Sequence, residues 1–279
     1  MKNFKKILTA GALTLLLTGC AGIAGSTGSS SDNNTIRIAA TAVPHYQILQ
    51  QARPIIAELG YTLVIQEVDD FVTPNLFLLE GDVDANFFQH RPFLSNFNDN
   101  HGSDLVPVFG VHFEPLRLYA GRLDSLEDLP TGGISIAIPD DPVNRARALQ
   151  LLEAQGLLEL TPGLGLTATP NDIAYNPHNI TVSYVAAPTL PALLPDVDFA
   201  IINGNFALQG GVLDRAIDGA GEAEDSPAAI EFTNFVVVNG ADQNASWVSA
   251  LVTALQSPEI ADFIWSQYEG RIVPQQILP

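Results

Sequence analysis

Strand-forming runs alternate with helix-forming segments along most of this 279-residue chain, and this alternation is the strongest constraint on its fold. The runs that predict the main strands are residues 35–43, 61–68, 83–87, 105–111, 116–120, 134–138, 180–185, 199–203 and 232–239. Segments with helical periodicity or capping residues separate many of them, as at 46–59 and 142–155, and another, at 258–269, follows the last run. Chains of this pattern fold into mostly parallel sheets with helices on their faces, so the sequence predicts an α/β protein.

The alternating runs fall into two groups, which predict two lobes. The first lobe is expected to comprise residues 35–127 and the second lobe residues 128–230, while residues 231–279 return to the first lobe and supply the C-terminal helices. Each lobe is expected to contain a mixed, mostly parallel sheet flanked by helices. Because ligands commonly bind between domains, we expect a ligand cleft between the lobes.

The N-terminal residues predict export and membrane attachment. Residues 1–19 begin with three lysines and continue as a short apolar run, as a secretory signal peptide does. The sequence LTGC that ends at Cys20 resembles the lipobox of bacterial lipoproteins, in which the cysteine is lipidated and becomes the mature N-terminus. The small, polar residues 20–34 that follow the cleavage point predict a lipidated, flexible tether. The folded part is therefore expected on the extracytoplasmic face of a cell membrane, anchored by lipid.

Composition excludes some functions. After Cys20 the chain has nine arginines, no lysine and 31 acidic residues, which is a net charge of −22. Such a charge argues against nucleic-acid binding and against electrostatic attraction to anionic lipid. Cys20 is the only cysteine, so neither a disulfide nor a thiolate metal site is expected within the chain.

Residues 84–93 combine three aromatic rings, two amide side chains and a histidine in ten positions. A strand is predicted to end here, because a proline follows, and His90 would then lie where small ligands bind in open α/β sheets. Phe71, Phe88 and Phe93 could together form a slot for an apolar or thioether side chain. The alternative is that these rings pack in the core and that His90 is a structural histidine.

The helix predicted to follow Asp141 could bind an anion at its start, where backbone N–H groups are free. Asp141 is a suitable N-cap and Pro142 a suitable first residue. Asn144 then lies in the first turn and Arg147 one turn further on, where its guanidinium could hold a carboxylate with two parallel hydrogen bonds. The alternative is a surface ion pair between Arg147 and one of the many acidic side chains.

Two asparagines occur in apolar strand-like runs, Asn203 at the end of FAIIN and Asn234 within FTNF. A buried amide is costly unless its hydrogen bonds are satisfied. Its oxygen and its nitrogen could hold an ammonium and a carboxylate, respectively. A turn-forming role is the alternative, and it applies more readily to Asn203 than to Asn234.

Four segments together resemble, in order and spacing, the methionine-binding lipoproteins of ABC importers, also called NlpA lipoproteins. These segments are FVTPN at 71–75, DANFFQHRPF at 84–93, IPDDPVNRAR at 138–147 and AIINGNF at 200–206. The resemblance runs from the lipobox to about residue 272. It implies a two-lobed fold of the type II periplasmic-binding-protein kind that captures L- or D-methionine for an ABC permease and its ATPase. It implies neither a cofactor nor a catalytic activity.

The resemblance also implies ligand-binding roles for eight residues. The pocket for the ligand side chain would be lined by Phe71, Phe88, His90 and Phe93. The ligand carboxylate would pair with Arg147, helped by Asn144, and the ammonium and carboxylate groups would also be held by Asn203 and Asn234. Many members of this family have Tyr at the positions of Phe71 and Phe93, so two hydroxyl groups are missing from this pocket.

A hydrolase is one alternative that the residues alone leave open. It would use His90 as a base, oriented by Asp69, Asp70 or Asp84. However, no Ser or Cys lies in a nucleophile motif, and no Gly-rich phosphate loop is present.

A metal-ion receptor is a second alternative, in which His45, His90 and His112 would bind the ion together with an acidic side chain. No closely spaced histidine motif supports it, and His45 and His112 are expected in loops. A third alternative keeps the fold and changes the ligand to another amino acid or a short peptide, because Arg147 requires only a carboxylate.

Overall fold

Two large β-sheets, each covered by helices on both faces, and a third sheet of two strands lie within residues 34–277, which a computed structural model describes. The predicted signal peptide, Cys20 and most of the tether lie outside the described residues. The strands are β1 (Thr35–Thr41), β2 (Thr62–Val68), β3 (Ala85–His90), β4 (Leu105–Phe113), β5 (Arg117–Ala120), β6 (Ser135–Pro139), β7 (Glu159–Leu160), β8 (Ile173–Tyr175), β9 (Thr181–Val185), β10 (Phe199–Ile202), β11 (Ala216–Gly221), β12 (Thr233–Asn239) and β13 (Val273–Ile277). The α-helices are α1 (Gln47–Glu58), α2 (Thr73–Glu80), α3 (Arg91–His101), α4 (Pro142–Ala154), α5 (Leu190–Leu193), α6 (Gly204–Gln209), α7 (Pro227–Glu231), α8 (Ser246–Leu255) and α9 (Pro258–Tyr268).

The first sheet has six strands in the order β13-β4-β12-β3-β1-β2. Strand β1 pairs in parallel with both β2 and β3, which is the pairing that strand–helix alternation predicts. Strand β12 comes from much later in the chain and lies antiparallel between β3 and β4. This insertion places Asn234 beside His90 and His112 in the strand register. Distant parts of the sequence therefore meet near the carboxyl ends of β3 and β4.

The second sheet has five strands in the order β11-β5-β10-β6-β9. Its centre is parallel, with β6 pairing β9 and β10, and its other edge is antiparallel, with β5 pairing β10 and β11. The chain passes between the two sheets through residues 114–116 and again through residues 222–232. We call each sheet with its helices a lobe and these two stretches the crossing segments. The two-lobed α/β fold is confirmed, while the lobe boundaries 35–127, 128–230 and 231–279 remain a proposal.

Apolar side chains form a core on both faces of each sheet. In the first lobe one core lies under α1, α8 and α9, and the other lies under α2 and α3. In the second lobe α4 covers one face, and α5 and α6 cover the other. Burial of apolar area of this kind is the main contribution that holds each lobe together. Within residues 34–277, none of the helices combines the length and the hydropathy that crossing a bilayer requires.

One local prediction differs from the structure because of proline. Strand β3 continues to His90 instead of ending at residue 87, and the chain enters α3 directly. Pro92 lies in the first turn of α3, where no backbone N–H is needed, so it starts a helix as it ends a strand.

Candidate ligand-binding site

A cavity lies between the two lobes, and side chains from both lobes line it. All eight residues that were assigned a ligand-binding role from the sequence are in its lining, with four that were not assigned. The complete lining is Phe71, Phe88, Gln89, His90, Phe93, Glu114, Asn144, Arg147, Asn203, Gly204, Asn205 and Asn234. The fold thus brings the predicted residues together, and their individual roles in binding stay predictions.

Phenyl rings form one wall of the cavity. Phe88 lies in β3, Phe93 in the first turn of α3 and Phe71 in the turn before α2. The centroid of the Phe71 ring is 5.9 Å from those of Phe88 and Phe93, and 4.8 Å from that of Phe206. Phe206 belongs to α6 in the second lobe and is not part of the lining, so its contact with Phe71 joins the aromatic wall to the second lobe. Rings at such distances attract one another modestly and exclude water.

Three buried amides fix the position of β3 behind the aromatic wall. The side chain of Gln89 donates to Asn75 Oδ1 at 2.6 Å and to Asn86 Oδ1 at 2.9 Å, and Asn86 donates to Asn75 Oδ1 at 2.8 Å. A fourth bond runs from Asn75 Nδ2 to Gln89 Oε1 at 3.0 Å. Buried amides are stable only when satisfied in this way. The network ties β3, which carries Phe88, to the start of α2, which follows Phe71.

His90 connects the lobes as a neutral side chain. Its Nδ1 accepts a hydrogen bond from the backbone N–H of Phe93 at 3.2 Å, so Nε2 carries the proton and donates to Asn144 Oδ1 at 3.1 Å. Burial, followed by the positive charge of Arg147, lowers the pKa of His90 to about 3. Both ring nitrogens are therefore bonded to groups other than Asp69, Asp70 or Asp84, one of which would have to orient His90 in a hydrolase.

The start of α4 has the local structure that its sequence predicts. Asp141 is the N-cap, and its Oδ1 accepts a hydrogen bond from the backbone N–H of Asn144 at 2.9 Å. The side-chain amide of Asn144 also donates to Asp141, at 3.1 and 3.2 Å. Because its amide oxygen is bonded to His90, both ends of the Asn144 side chain have partners. Asn144 therefore links the first turn of α4 to the first lobe.

Arg147 pairs with an acidic side chain, as the alternative interpretation expected, but the pair is buried and does not lie on the surface. Only 3% of Arg147 is exposed. Its Nε donates to Glu222 Oε1 at 2.6 Å, its Nη2 donates to Glu222 Oε2, and its Nη2 also reaches the backbone carbonyl of Glu114 at 3.1 Å. The guanidinium carbon lies 4.0 Å from the centroid of the Phe232 ring. Arg147 thus contacts both crossing segments while it lines the cavity.

Asn203 and Asn234 approach the cavity from opposite lobes. Asn203 is the residue before α6, and its Oδ1 is buried without a hydrogen-bond partner among the described residues. The Nδ2 of Asn205 is in the same situation. Asn234 Oδ1 accepts a hydrogen bond from His45 Nε2 at 3.2 Å. Unpaired buried amide atoms are costly, and those lining a cavity are ready partners for a polar ligand.

His45, His112 and Glu114 form a buried cluster behind the cavity. Glu114 Oε1 lies 2.8 Å from His112 Nε2 and 3.3 Å from His45 Nε2, and Thr41 Oγ1 lies 2.7 Å from His45 Nδ1. Burial lowers the pKa of His45 to about 4 and that of His112 to about 3, so both are neutral. The prediction that these histidines lie in loops is wrong, because His45 lies in the helical turn Ala42–Tyr46 before α1 and His112 lies in β4. Hydrogen bonds to Glu114 and Thr41 allow both rings to be buried.

The sequence prediction missed the two acidic residues of the site. Glu114 precedes Pro115 at the end of a strongly apolar run, and a charged residue in such a run was the available signal. Glu222 gave no comparable signal, because it lies in an acidic, loop-like stretch. Gln89 and Asn205 belong to segments that carried the family resemblance, although neither was assigned a role. Gly204 lines the cavity between Asn203 and Asn205.

Comparison with known proteins agrees with this arrangement. The family described as NlpA lipoprotein matches residues 36–276. Membrane lipoprotein TpN32 of Treponema pallidum is 35% identical over 85% of this chain and 87% of its own. Methionine-binding lipoprotein MetQ of Bacillus subtilis is 34% identical over 96% of this chain and 98% of its own.

Solved structures support the same relationship. A nutrient-binding protein from Burkholderia cenocepacia, solved bound to methionine, superposes with a TM-score of 0.80 at 36% identity. The match covers 86% of this chain and 99% of that one. The family match spans most of the chain, and the relatives are similar over nearly their full length. The chain therefore belongs to the NlpA lipoprotein family.

Proposed function

We propose that this lipoprotein captures methionine between its lobes and delivers it to an ABC importer. The observation that carries the proposal is that one cavity has a buried guanidinium, that of Arg147, and a wall of phenyl rings. A free amino acid with an apolar side chain can pair its carboxylate with this guanidinium and pack its side chain against the phenyl rings. Two relatives support the choice of methionine, since one is named a methionine-binding lipoprotein and another was solved with methionine bound.

The ligand carboxylate is placed at the free end of the Arg147 guanidinium. Glu222 occupies the edge formed by Nε and Nη2, so the ligand meets the end that carries Nη1. Asn203 Oδ1, which lacks a partner among the described residues, is an acceptor for the ligand ammonium, and Asn234 lies on the opposite side of the cavity. Asn144 assists by joining α4 to His90 across the lobes.

The thioether of methionine lies against the aromatic wall. A polarizable sulfur makes favourable contacts with ring edges, and Phe71, Phe88 and Phe93 present three rings to it. Because Phe71 and Phe93 lack hydroxyl groups, recognition of the tail depends on shape and dispersion. Methionine sulfoxide, which carries a polar oxygen at this position, is therefore expected to bind more weakly than methionine.

Delivery requires a membrane anchor and a transporter. Cys20, the proposed lipid attachment point, lies outside the described residues, and the lipobox sequence and the family support its role. A lipid on Cys20 keeps the protein close to its permease and ATPase, while the tether lets the lobes reach them. Replacement of Cys20 by Ala is expected to prevent incorporation of labelled palmitate and to release the protein from membranes.

Isothermal titration calorimetry with L- and D-methionine tests the binding site. Arg147→Ala is expected to weaken binding at least roughly thirtyfold, because removing one side of a buried charge pair costs about 2–5 kcal/mol. The control is Arg122→Ala, whose guanidinium is exposed and pairs with Asp198 away from the cavity. Thermal melting of both variants shows whether the fold survives. Unchanged affinity in a folded Arg147→Ala variant would remove Arg147 from the site, and no binding of either enantiomer would reject methionine as the ligand.

A further inference from the structure

Glu114 places a buried carboxylate on the cavity at the first crossing segment. Its side chain is 8% exposed. The two imidazoles of the first lobe, His45 and His112, lie against its Oε1. In the second lobe the backbone N–H of Asn205 donates to its Oε2 at 2.8 Å. Each carboxylate oxygen is therefore held by a different lobe, while the side chain also faces the ligand cavity.

The partners of this carboxylate are dipoles and not cations. His45 and His112 are both neutral, since burial keeps their pKa values far below 7. Arg147 bonds only to the backbone carbonyl of Glu114 and directs its guanidinium to the carboxylate of Glu222. Among the described residues, then, Glu114 lacks a cationic side chain paired with it. A buried carboxylate in this situation is costly, and burial accordingly raises the pKa of Glu114.

We infer that Glu114 is the counter-charge for the ligand ammonium and makes the site selective for ligands with a free amino group. This inference rests on the methionine capture proposed above. Asn203 Oδ1, buried and unpaired among the described residues, supplies a neutral acceptor on the same cavity. A Cβ on Gly204 would come within 3.0 Å of Glu114 Cβ, so glycine lets the second lobe approach this carboxylate closely. The ammonium is thus bound where both lobes meet.

A metal ion is the competing occupant, because the ligand atoms of His45, His112 and Glu114 lie within 4.8 Å of one another. The geometry favours hydrogen bonds. His112 Nε2 and Glu114 Oε1 are 2.8 Å apart, whereas two ligands of a tetrahedral zinc ion, each about 2.0 Å from it, are roughly 3.3 Å apart. The Thr41 hydroxyl can donate to His45 Nδ1, which leaves the proton on Nε2, facing Glu114 and Asn234.

The test compares ligands that lack one end of methionine. Glu114→Gln removes the charge and keeps the shape of the side chain, and Glu159→Gln, at an exposed position of the second lobe, is the matched control. The full-length protein, purified in detergent, is titrated with methionine, with methioninamide, which lacks the carboxylate, and with 4-(methylthio)butanoate, which lacks the ammonium. Glu114→Gln is expected to weaken methionine and methioninamide at least roughly thirtyfold. Its affinity for 4-(methylthio)butanoate should match that of the control.

Equal losses for all three ligands, or no loss for any, would overturn the inference and leave the proposed function standing. The wild-type protein provides a test that needs no variant, because methionine should bind at least roughly thirtyfold more tightly than 4-(methylthio)butanoate. Equal affinities would overturn the inference even if Glu114→Gln fails to fold. Methionine binding that requires zinc and is abolished by a chelator would assign the cluster to a metal. Absence of methionine binding by the wild type would reject the proposed function and this inference together.

Discussion

The two lobes contribute different chemistry to the cavity. The first lobe supplies phenyl rings and uncharged polar groups, namely Phe71, Phe88, Gln89, His90, Phe93 and Asn234. The second lobe supplies a cation, Arg147, on a helix whose start is capped by Asp141, together with the amides of Asn144, Asn203 and Asn205. The acidic groups that balance the cation, Glu114 and Glu222, belong to the crossing segments between the lobes.

This division means that neither lobe alone can bind both ends of a zwitterion with an apolar tail. The lobes are held together across the cavity by His90 with Asn144 and by Phe71 with Phe206. Glu114 adds a third connection through the backbone of Asn205. Affinity is therefore expected to depend on contacts between lobes as much as on contacts with the ligand, and variants on each side can separate the two contributions.

The largest expected effect comes from removing the partner of the second-lobe cation. Glu222→Ala leaves the Arg147 guanidinium buried without its carboxylate, which costs about 3–5 kcal/mol of unfolding free energy. Arg271→Ala is the control, because its ion pair with Asp214 is long, at 3.7 Å, and exposed, so its loss should cost no more than about 1 kcal/mol. Urea unfolding measures both. If both variants lose no more than about 1 kcal/mol of unfolding free energy, Arg147 does not need Glu222 to balance its charge.

The next effect concerns the neutral histidines of the first lobe. The pKa of His112 is about 3 in the folded protein because of burial, and it is near 6.5 in an unfolded chain. Between these values the unfolded state binds a proton that the folded state does not, so stability falls as the pH falls. Between pH 5.5 and 4.5, His112→Asn should reduce this slope by about 1.4 kcal/mol per pH unit.

The control for this titration is Val111→Ala, at a buried neighbour that does not titrate. It should lower stability at every pH and leave the slope unchanged. Urea unfolding over a series of buffers provides the slopes. An unchanged slope in His112→Asn would mean that this histidine is charged in the folded protein, which would contradict the view of the first lobe as uncharged.

A smaller effect on stability is expected from removing a helix N-cap, either Asp141 of α4 at the cavity or Ser257 of α9 far from it. Asp141 and Ser257 each accept a hydrogen bond from a backbone N–H, at 2.9 and 3.3 Å, and replacement of either by Ala should cost about 1 kcal/mol of stability. Only Asp141 also holds Asn144, which joins the lobes. Asp141→Ala should therefore weaken methionine binding as well, while Ser257→Ala should not. Equal affinities in calorimetry would show that capping of α4 has no effect on the site.

These two caps also show which features a sequence can predict. Asp141-Pro142 and Ser257-Pro258 are local signals, and the structure confirms both helix starts. The aromatic residues and Arg147 were recognised because they lie in compact motifs. The pairing of Arg147 with Glu222, 75 residues away, has no local signature, since it depends on how the second crossing segment passes the start of α4.

The same limit explains the two misplaced histidines. His45 follows Pro44, and His112 follows the end of the predicted strand 105–111, so each was expected in a loop. Their burial depends on Glu114 and on the insertion of β12 beside β4, both of which involve long-range contacts. Local preference predicts which elements form, whereas the partners of buried polar groups are fixed by topology.

The smallest expected effect tests the aromatic wall, where the two lobes use the same chemistry. Phe71→Leu keeps an apolar side chain but removes the ring contacts with Phe88 and Phe206, which are worth about 0.5–1 kcal/mol. Methionine affinity should fall roughly two- to fivefold, because the wall then closes less well over the thioether. Phe97→Leu, in the core beneath α3, is the control and should lower stability without changing affinity. If both variants bind methionine like the wild type, the charged groups of the cavity determine the affinity and the phenyl rings do not contribute to it.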